Sequence, residues 1–186
     1  LRPHPALHVR DGGGVSPDIE VKQEKLPNIL FYLVRDNLIF DYATDYCLKH
    51  PAIASAKEFE LTDADYEEFK NKVKGADFKY DQQSEKILNT LKEAAEFEGY
   101  MKDASDEFKA LENKLKHNLD RDLDYFSKDI KKMIAEEIIK RYYYQEGAII
   151  QQLKDDKDLD EAVKVLTNPE RYQQILSVTA VTAKKE

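Results

Sequence analysis

Two runs of alternating aspartates are the first candidates for chemistry, because an EF-hand loop binds Ca²⁺ through oxygen ligands at alternating positions. The runs are Asp156, Asp158 and Asp160, and Asp120, Asp122 and Asp124. A calcium loop also needs glycine at its sixth position and glutamate at its twelfth. The first run has Glu161 and Thr167 there, and the second has Tyr125 and Lys131. We therefore interpret both runs as solvated helix starts or faces and predict no metal site.

A glycine run and a serine near the start are candidates for phosphate binding and nucleophilic catalysis. Gly12–Gly14 lacks the Lys and Ser or Thr of a P-loop and the later glycine of a dinucleotide-binding turn. Ser16 is the serine of a stretch, Gly14 to Asp18, that begins like a nucleophile elbow, but Asp18 replaces the last glycine of that motif. Cys47 lies in an apolar helical stretch, which is typical of a small buried hydrophobe. The sequence predicts no catalytic residue, no cofactor-binding residue and no cofactor.

An aromatic block, Arg141-Tyr142-Tyr143-Tyr144, remains as a candidate binding feature. Three consecutive tyrosines point in three directions around a helix, so we expect at least one to be exposed or to meet a partner through its hydroxyl. Two interpretations stay open at this point. The tyrosines either anchor neighbouring helices to one another or contact a peptide or a second domain.

The overall composition limits the function classes. The chain has 186 residues, a net charge of −8 and 41% hydrophobic residues, which is enough for a folded core and argues against a disordered chain. No apolar run reaches about 18 residues, so we predict no membrane span. A pI near 5.2 argues against nucleic-acid binding, which usually shows a basic surface. The single cysteine excludes an intramolecular disulfide.

Proline and glycine divide the chain, because most of them precede position 52. We predict an extended segment over residues 1–25 with a short strand at Ile19–Val21, a helical domain over 26–178 and a frayed tail over 179–186. The fold class is mainly α, a bundle of about six to seven helices behind a short extended or β N-terminal segment. The start does not resemble the natural start of a domain, so we expect the chain to be part of a longer protein.

The first predicted helix, Pro27–Lys49, is apolar on almost every side at its beginning. Six successive residues from Ile29 to Val34 are large and apolar. One interpretation is a central core helix; the other is that part of this face packs on another domain. We expect a residual exposed patch with Phe31 and Tyr32 as interface residues, where a second copy could form a homodimer.

Capping residues delimit the later helices. Thr62 is the predicted N-cap of one helix that ends at a left-handed Gly75, and Gly99 ends the next, which spans about residues 81–98. Residues 100–146 form either one long helix or two that join near His117–Asp124.

Three short helices complete the predicted set. The first is Ala148–Leu153, after a helix end at Gly147. The next has Asp158 as its N-cap, and the last has Asn168 as its N-cap with Pro169 at the first helical position.

Three blocks of the sequence resemble the C-terminal processing peptidases, also called tail-specific proteases. Arg10-Asp11-Gly12-Gly13-Gly14-Val15-Ser16-Pro17-Asp18-Ile19 resembles their GGGIxPDI segment. Tyr80-Asp81-Gln82-Gln83-Ser84-Glu85, and Glu137 together with Arg141 to Gly147, resemble the helical C-terminal extension of bacterial members. The resemblance extends from Arg10 to about Leu176.

The resemblance implies a non-catalytic part of an envelope protease. In the family, a PDZ domain captures the C-terminus of a protein substrate and a Ser–Lys dyad cleaves the peptide bond; neither dyad stretch occurs here. Residues 1–25 would then be a remnant of the edge of the protease core, with a structural motif formed by Gly12, Gly13, Gly14, Pro17 and Asp18.

The resemblance also implies partners and a location. The partners would be the protease core and PDZ domain of the same parent chain, the parent's protein substrates and a second copy of this chain. The location would be the periplasm or cell envelope. The competing hypothesis is a free-standing helical interaction domain without protease ancestry.

Overall fold

A computed structural model describes residues 17–22 and 25–177 of the chain. Within these residues there are nine α-helices, one short 3₁₀ turn and no β-strand. The helices are α1 Asn28–Arg35, α2 Leu38–Lys49, α3 Asp63–Gly75, α4 Gln83–Phe97, α5 Met101–Leu115, α6 Leu119–Tyr125, α7 Ser127–Gln152, α8 Lys157–Leu166 and α9 Pro169–Leu176. The prediction of a mainly α fold is confirmed, whereas the predicted strand at Ile19–Val21 is wrong, and the helices outnumber the six or seven expected.

The predicted single helix from Pro27 to Lys49 is wrong, because the chain breaks between α1 and α2. Asn37 adopts a left-handed conformation with φ 58° and ψ 14°. Asparagine tolerates this conformation better than most residues because its short polar side chain can bond locally. The break lets α1 and α2 pack on each other, which a continuous helix could not do.

The described residues divide into two compact units, and the larger one comprises Lys25–Lys154. Its core lies where α2 packs along α7, with α1, α3 and α6 completing the bundle. The largest fully buried side chains come from these helices: Ile29, Leu30, Leu33, Phe69, Val73, Leu123, Ile130, Ile134, Ile138 and Ile139. Such burial stabilises the fold by roughly 1.5–3 kcal/mol for each large apolar side chain.

The start of α3 follows the local signals in the sequence. The Thr62 hydroxyl accepts a hydrogen bond from the Asp65 backbone amide at 3.1 Å, and the Asp65 carboxylate accepts one from the Thr62 amide at 3.2 Å. The predicted N-cap is thus confirmed as a reciprocal capping box. Gly75 ends α3 without a left-handed conformation, so that part of the prediction is wrong. Gly99 follows the end of α4 as predicted, and its φ is 85°.

Residues 100–146, predicted as one or two helices, belong to three helices. A break after Leu115 lies next to the predicted junction, and a second break occurs at Phe126, between α6 and α7. A kink at Tyr144, with φ 54° and ψ −151°, divides α7 into two helical parts, so the helix predicted over Ala148–Leu153 exists as the second part but begins before Gly147 and ends at Gln152. Gly147 is buried inside α7 and does not end it.

The second unit comprises the described residues among Leu1–Glu24 and Asp155–Glu186. Asp156, not the predicted Asp158, caps α8 by accepting a hydrogen bond from the Leu159 amide at 2.9 Å. Asn168 caps α9, and Pro169 occupies its first position, as predicted. Ile19 and Val21 line a cavity of about 400 Å³ together with residues of α8 and α9. The predicted frayed tail lies outside the described residues.

None of the helices described here combines the length and apolar character needed to cross a lipid bilayer.

Candidate interaction surface

The block that begins at Tyr80 forms a buried polar cluster with α6. The Asp122 carboxylate is only 4% exposed and accepts hydrogen bonds from the Tyr80 hydroxyl at 2.5 Å and the Gln82 amide nitrogen at 2.8 Å. Arg121 donates to its other oxygen at 3.1 Å. Burial raises the pKa of the Tyr80 hydroxyl, and the hydrogen bond to Asp122 raises it further. The cluster holds the segment before α4 against α6.

The interpretation of Asp120, Asp122 and Asp124 as a solvated run is wrong for its middle member. Asp122 is buried, while the outer two aspartates form ion pairs with α3, Asp120 with Lys74 and Asp124 with Lys70 at 2.7 Å. Among the residues with assigned positions, no group of three His, Cys, Asp or Glu side chains could hold a metal ion. The run therefore serves packing between helices.

Asp81 links the same segment to α1 and to the start of α4. Its backbone carbonyl accepts a hydrogen bond from the Asn28 side chain at 2.7 Å, and its carboxylate accepts one from Lys86 at 2.6 Å. The bonds from Lys86 and Tyr32 hold the pKa of the Asp81 carboxyl below its usual value. The second block of the family resemblance thus has a structural role in joining α1, α4 and α6.

The aromatic block of α7 anchors this helix to α2 and to the loop after it. Arg141 donates to the Phe40 carbonyl and to the Thr44 hydroxyl, both at 3.1 Å. The Tyr142 hydroxyl donates to the His50 carbonyl, and the Tyr143 hydroxyl to the Ala54 carbonyl at 3.1 Å. These contacts favour the interpretation of Tyr142 and Tyr143 as anchors between structural elements.

Tyr144 is the member of the block that points to solvent, and its side chain is 78% exposed. Its φ of 54° with a ψ of −151° is a conformation that residues other than glycine rarely adopt. Cys47 is half-buried and packs against the core, in agreement with its interpretation as a small hydrophobe.

An exposed apolar surface lies on the first two helices. Phe31 and Val34 of α1 are 64% and 48% exposed, and Phe40 of α2 is 55% exposed. Phe31 is exposed as predicted, but Tyr32 is half-buried, because its ring packs near Tyr80 and beneath the Arg35 guanidinium at 4.3 Å. We call the surface formed by Phe31, Val34 and Phe40 the α1–α2 surface.

A groove of about 280 Å³ continues the α1–α2 surface toward α7. Seven residues line it, namely Val34, Asn37, Ile39, Phe40, Met133, Glu136 and Glu137. Glu137 pairs with Arg141 at 2.7 Å, and the Arg141 guanidinium lies over the Phe40 ring at 4.6 Å. The groove therefore has an apolar floor and a polar rim, which is the usual anatomy of a protein contact.

The remaining predicted site residues are not brought to this surface. Gly12, Gly13 and Gly14 lie outside the described residues. Pro17 and Asp18 are exposed in the smaller unit, where Asp18 lines the cavity beside α8 and α9. Their structural role stays a prediction.

Sequence reasoning missed Met133, Glu136 and the groove itself. The groove forms because α7 packs along α2, which lies about 90 residues earlier in the chain. A local pattern carries no signal for such a contact. The large apolar residues on several sides of α1 were the one feature of the sequence that indicated an exposed apolar surface here.

Comparison with known families agrees with this picture. The sequence profile of the family described as "Probable PDZ-protease, C-terminal helical domain" matches residues 29–166, about three-quarters of the chain. The resemblance to the C-terminal processing peptidases is thereby confirmed for the helical region, while the Arg10–Ile19 block lies outside the matched residues. No curated protein and no solved structure matches the chain.

Proposed function

Since the chain belongs to the family of C-terminal helical domains of PDZ-proteases, we propose that it docks through the α1–α2 surface on the catalytic part of its own parent protein. In this proposal the parent hydrolyses peptide bonds near protein C-termini with a Ser–Lys dyad that lies outside this chain. The docked helices restrict the access of substrates to that dyad. The resemblance to envelope proteases supports a periplasmic or envelope location.

The observation that carries the proposal is the exposure of three large apolar residues on the first two helices. Phe31 makes an edge contact with Tyr32 but is otherwise open, and Val34 and Phe40 continue the apolar surface into the groove. Covering a large apolar side chain contributes roughly 1.5–3 kcal/mol. Soluble monomers rarely leave such residues contiguous without a partner.

The position of α1 in the chain favours a partner in the same protein. Nine residues separate Asp18, in the segment that resembles the end of the protease core, from Asn28 at the start of α1. Nine extended residues reach at most about 30 Å. A tether this short gives an effective concentration in roughly the millimolar range, so a small apolar surface is sufficient for stable docking.

Replacing Phe31 and Val34 with lysine in the full-length parent tests the proposal. Both side chains are largely exposed, so we expect the helicity of the isolated chain to stay unchanged. In the parent, docking should weaken, with faster amide exchange over Asn28–Arg35 and faster cleavage of protein substrates. Leu48→Lys, at an α2 residue that is 80% exposed and outside the groove, is the matched control. Unchanged exchange and cleavage in the double variant would show that the domain does not dock through this surface.

Self-association is the competing use of the same surface. Sedimentation velocity of the isolated chain separates the two, because a homodimer would dissociate in the Phe31→Lys, Val34→Lys variant even without the protease core. The family match argues against the competing hypothesis of a helical interaction domain without protease ancestry, and it is compatible with docking and with self-association.

A further inference from the structure

The α4–α5 arm, formed by α4 and α5 and the turn between them, differs from the rest of the larger unit in its packing. Its two helices pack mainly on each other. α5 has no buried residue, and the two buried residues of α4, Leu88 and Ala95, lie outside the main core cluster. The arm therefore contributes little to the core of the bundle.

The turn at the end of the arm has a defined conformation. The Tyr100 amide donates to the Ala95 carbonyl at 2.8 Å, and the Gly99 amide donates to the Glu96 carbonyl at 3.1 Å. With Gly99 at φ 85°, these two bonds make a Schellman motif, which satisfies carbonyls that the end of α4 would otherwise leave open. The residues on this turn are thus held in fixed positions.

Two aromatic side chains project from this fixed turn. Phe97 is 93% exposed and Tyr100 is 62% exposed. Aromatic residues are enriched at protein interfaces, and those that cost little entropy to order are the most effective anchors. Because the Phe97 side chain is almost fully exposed, it contributes little to the stability of the arm. Stability therefore does not explain why a large apolar residue lies at this position.

Acidic residues flank the two aromatic residues in the sequence. Glu93, Glu96 and Glu98 lie in or next to the last turn of α4, and Asp103 lies in the first turn of α5. No described cation forms an ion pair with any of the four. The last turn of α4 also has no basic residue, although the negative end of a helix dipole favours cations. A positively charged partner would relieve this repulsion.

We propose that the tip of the arm, residues 93–103, binds a protein surface on which Lys or Arg side chains border an apolar patch, such as one face of an amphipathic basic helix. Phe97 and Tyr100 pack on the apolar patch, and the acidic residues face the bordering cations. The proposal goes beyond docking through the α1–α2 surface, because it concerns another part of the unit and a partner of defined charge. The same acidic residues repel an anionic lipid surface.

Binding can be measured on the isotope-labelled full chain by NMR titration. The probe is an amphipathic helical peptide of leucine and lysine, and the control peptide has glutamate in place of lysine. We expect the Leu/Lys peptide to shift the amide resonances of residues 93–103 first, and the Leu/Glu peptide to shift none. Replacing Phe97 and Tyr100 with serine should weaken binding roughly tenfold or more, as for interface anchors. Circular dichroism of this variant should show unchanged helicity, since both residues are exposed.

A second variant tests the charge requirement separately. This variant combines Glu93→Gln, Glu96→Gln and Glu98→Gln, which keep the shape of the tip but remove its charge. It should bind the Leu/Lys peptide more weakly than the unaltered chain, and its affinity should depend less on salt concentration. Leu48→Ser, at an exposed apolar residue of α2, should bind like the unaltered chain. The proposal would be overturned if the tip variants bound the Leu/Lys peptide as tightly as the unaltered chain does. It would also be overturned if both peptides bound equally well, or if the chain bound anionic phosphatidylglycerol vesicles.

Discussion

The bundle and the α4–α5 arm contain similar helices but bury very different amounts of them. In the bundle, Ile130, Ile134 and Ile138 form a completely buried face along α7. In the arm, Ile87 and Leu91 of α4 have the same helical spacing and are 58% and 51% exposed. Helical periodicity thus marks the face that can be buried, whereas the number of neighbouring helices decides whether it is.

The two regions also use polar groups differently. The bundle ties its helices together through buried hydrogen bonds, such as the bond from the Tyr66 hydroxyl to the Leu123 carbonyl at 2.6 Å. The arm has an exposed ion pair between Lys92 and Glu112 at 2.7 Å. Such a pair contributes at most about 1 kcal/mol. The bundle therefore carries the stability of the unit, which leaves the arm free to serve in binding.

The largest expected difference between the two regions concerns matched phenylalanines. Phe69→Ala in the bundle removes a side chain with 0% exposure, so we expect the free energy of unfolding to fall by about 3–5 kcal/mol. Phe97→Ala in the arm removes a side chain that is 93% exposed, so we expect a change within about 0.5 kcal/mol. Denaturant titrations followed by circular dichroism measure both. Similar losses in the two variants would show that the arm is as strongly packed as the bundle.

A second difference is expected at alkaline pH. Burial raises the pKa of Tyr42, Tyr66 and Tyr80 above the ordinary value of about 10. The folded chain then keeps these protons at a pH where the unfolded chain loses them. The stabilisation is fully present below about pH 10 and is lost as the pH rises above that value. Unfolding free energies measured between pH 8 and about 11 should therefore be constant at first and then decline.

Single tyrosine variants assign this decline to the bundle. Tyr66→Phe should make the alkaline decline shallower, because one of the protons with a raised pKa is removed. If Tyr66→Phe left the slope of the decline unchanged, the assignment to the bundle would be wrong.

Much of the fold could be predicted where the determining contact is local. The capping residues Thr62 and Asn168 lie within three residues of the backbone amides that they cap. The sequence therefore contains the whole signal for these two helix starts. Gly99 was predictable for the same reason, because a left-handed residue after a helix favours glycine.

Features that depend on distant residues could not be predicted. Asp122 is buried because Tyr80 and Gln82, about 40 residues earlier, supply its hydrogen bonds. The break at Asn37 interrupts an apolar run that indicates one continuous helix. For the α1–α2 surface, the exposure of Phe31 was predicted from the excess of apolar residues on α1, whereas Tyr32 was misplaced because Tyr80 covers it.

Substitutions at three glycines test the local constraints on the backbone in each region. A Cβ atom at Gly147 would collide with the Tyr143 Cβ atom and lie 2.8 Å from the Ile139 Cγ2 atom. Since the Tyr143 Cβ atom is fixed to the backbone and Ile139 is completely buried, neither can move aside freely, and Gly147→Ala should lower the free energy of unfolding by about 1–3 kcal/mol. Gly99→Ala meets no atom within 4 Å, but its φ of 85° makes alanine unfavourable by roughly 1–2 kcal/mol.

The two glycine variants should differ in where the loss appears, and Gly75 supplies the control. Hydrogen exchange should show that Gly99→Ala loosens mainly residues 93–103, whereas Gly147→Ala raises exchange along α7 and its neighbours, because a packed core transmits strain. Gly75 has open space around it and no left-handed φ, so Gly75→Ala should be neutral or stabilise the chain by about 0.4–1 kcal/mol. If Gly99→Ala instead increased exchange throughout the bundle, the arm would be coupled to the core, and the rigid tip could not act as an independent binding element.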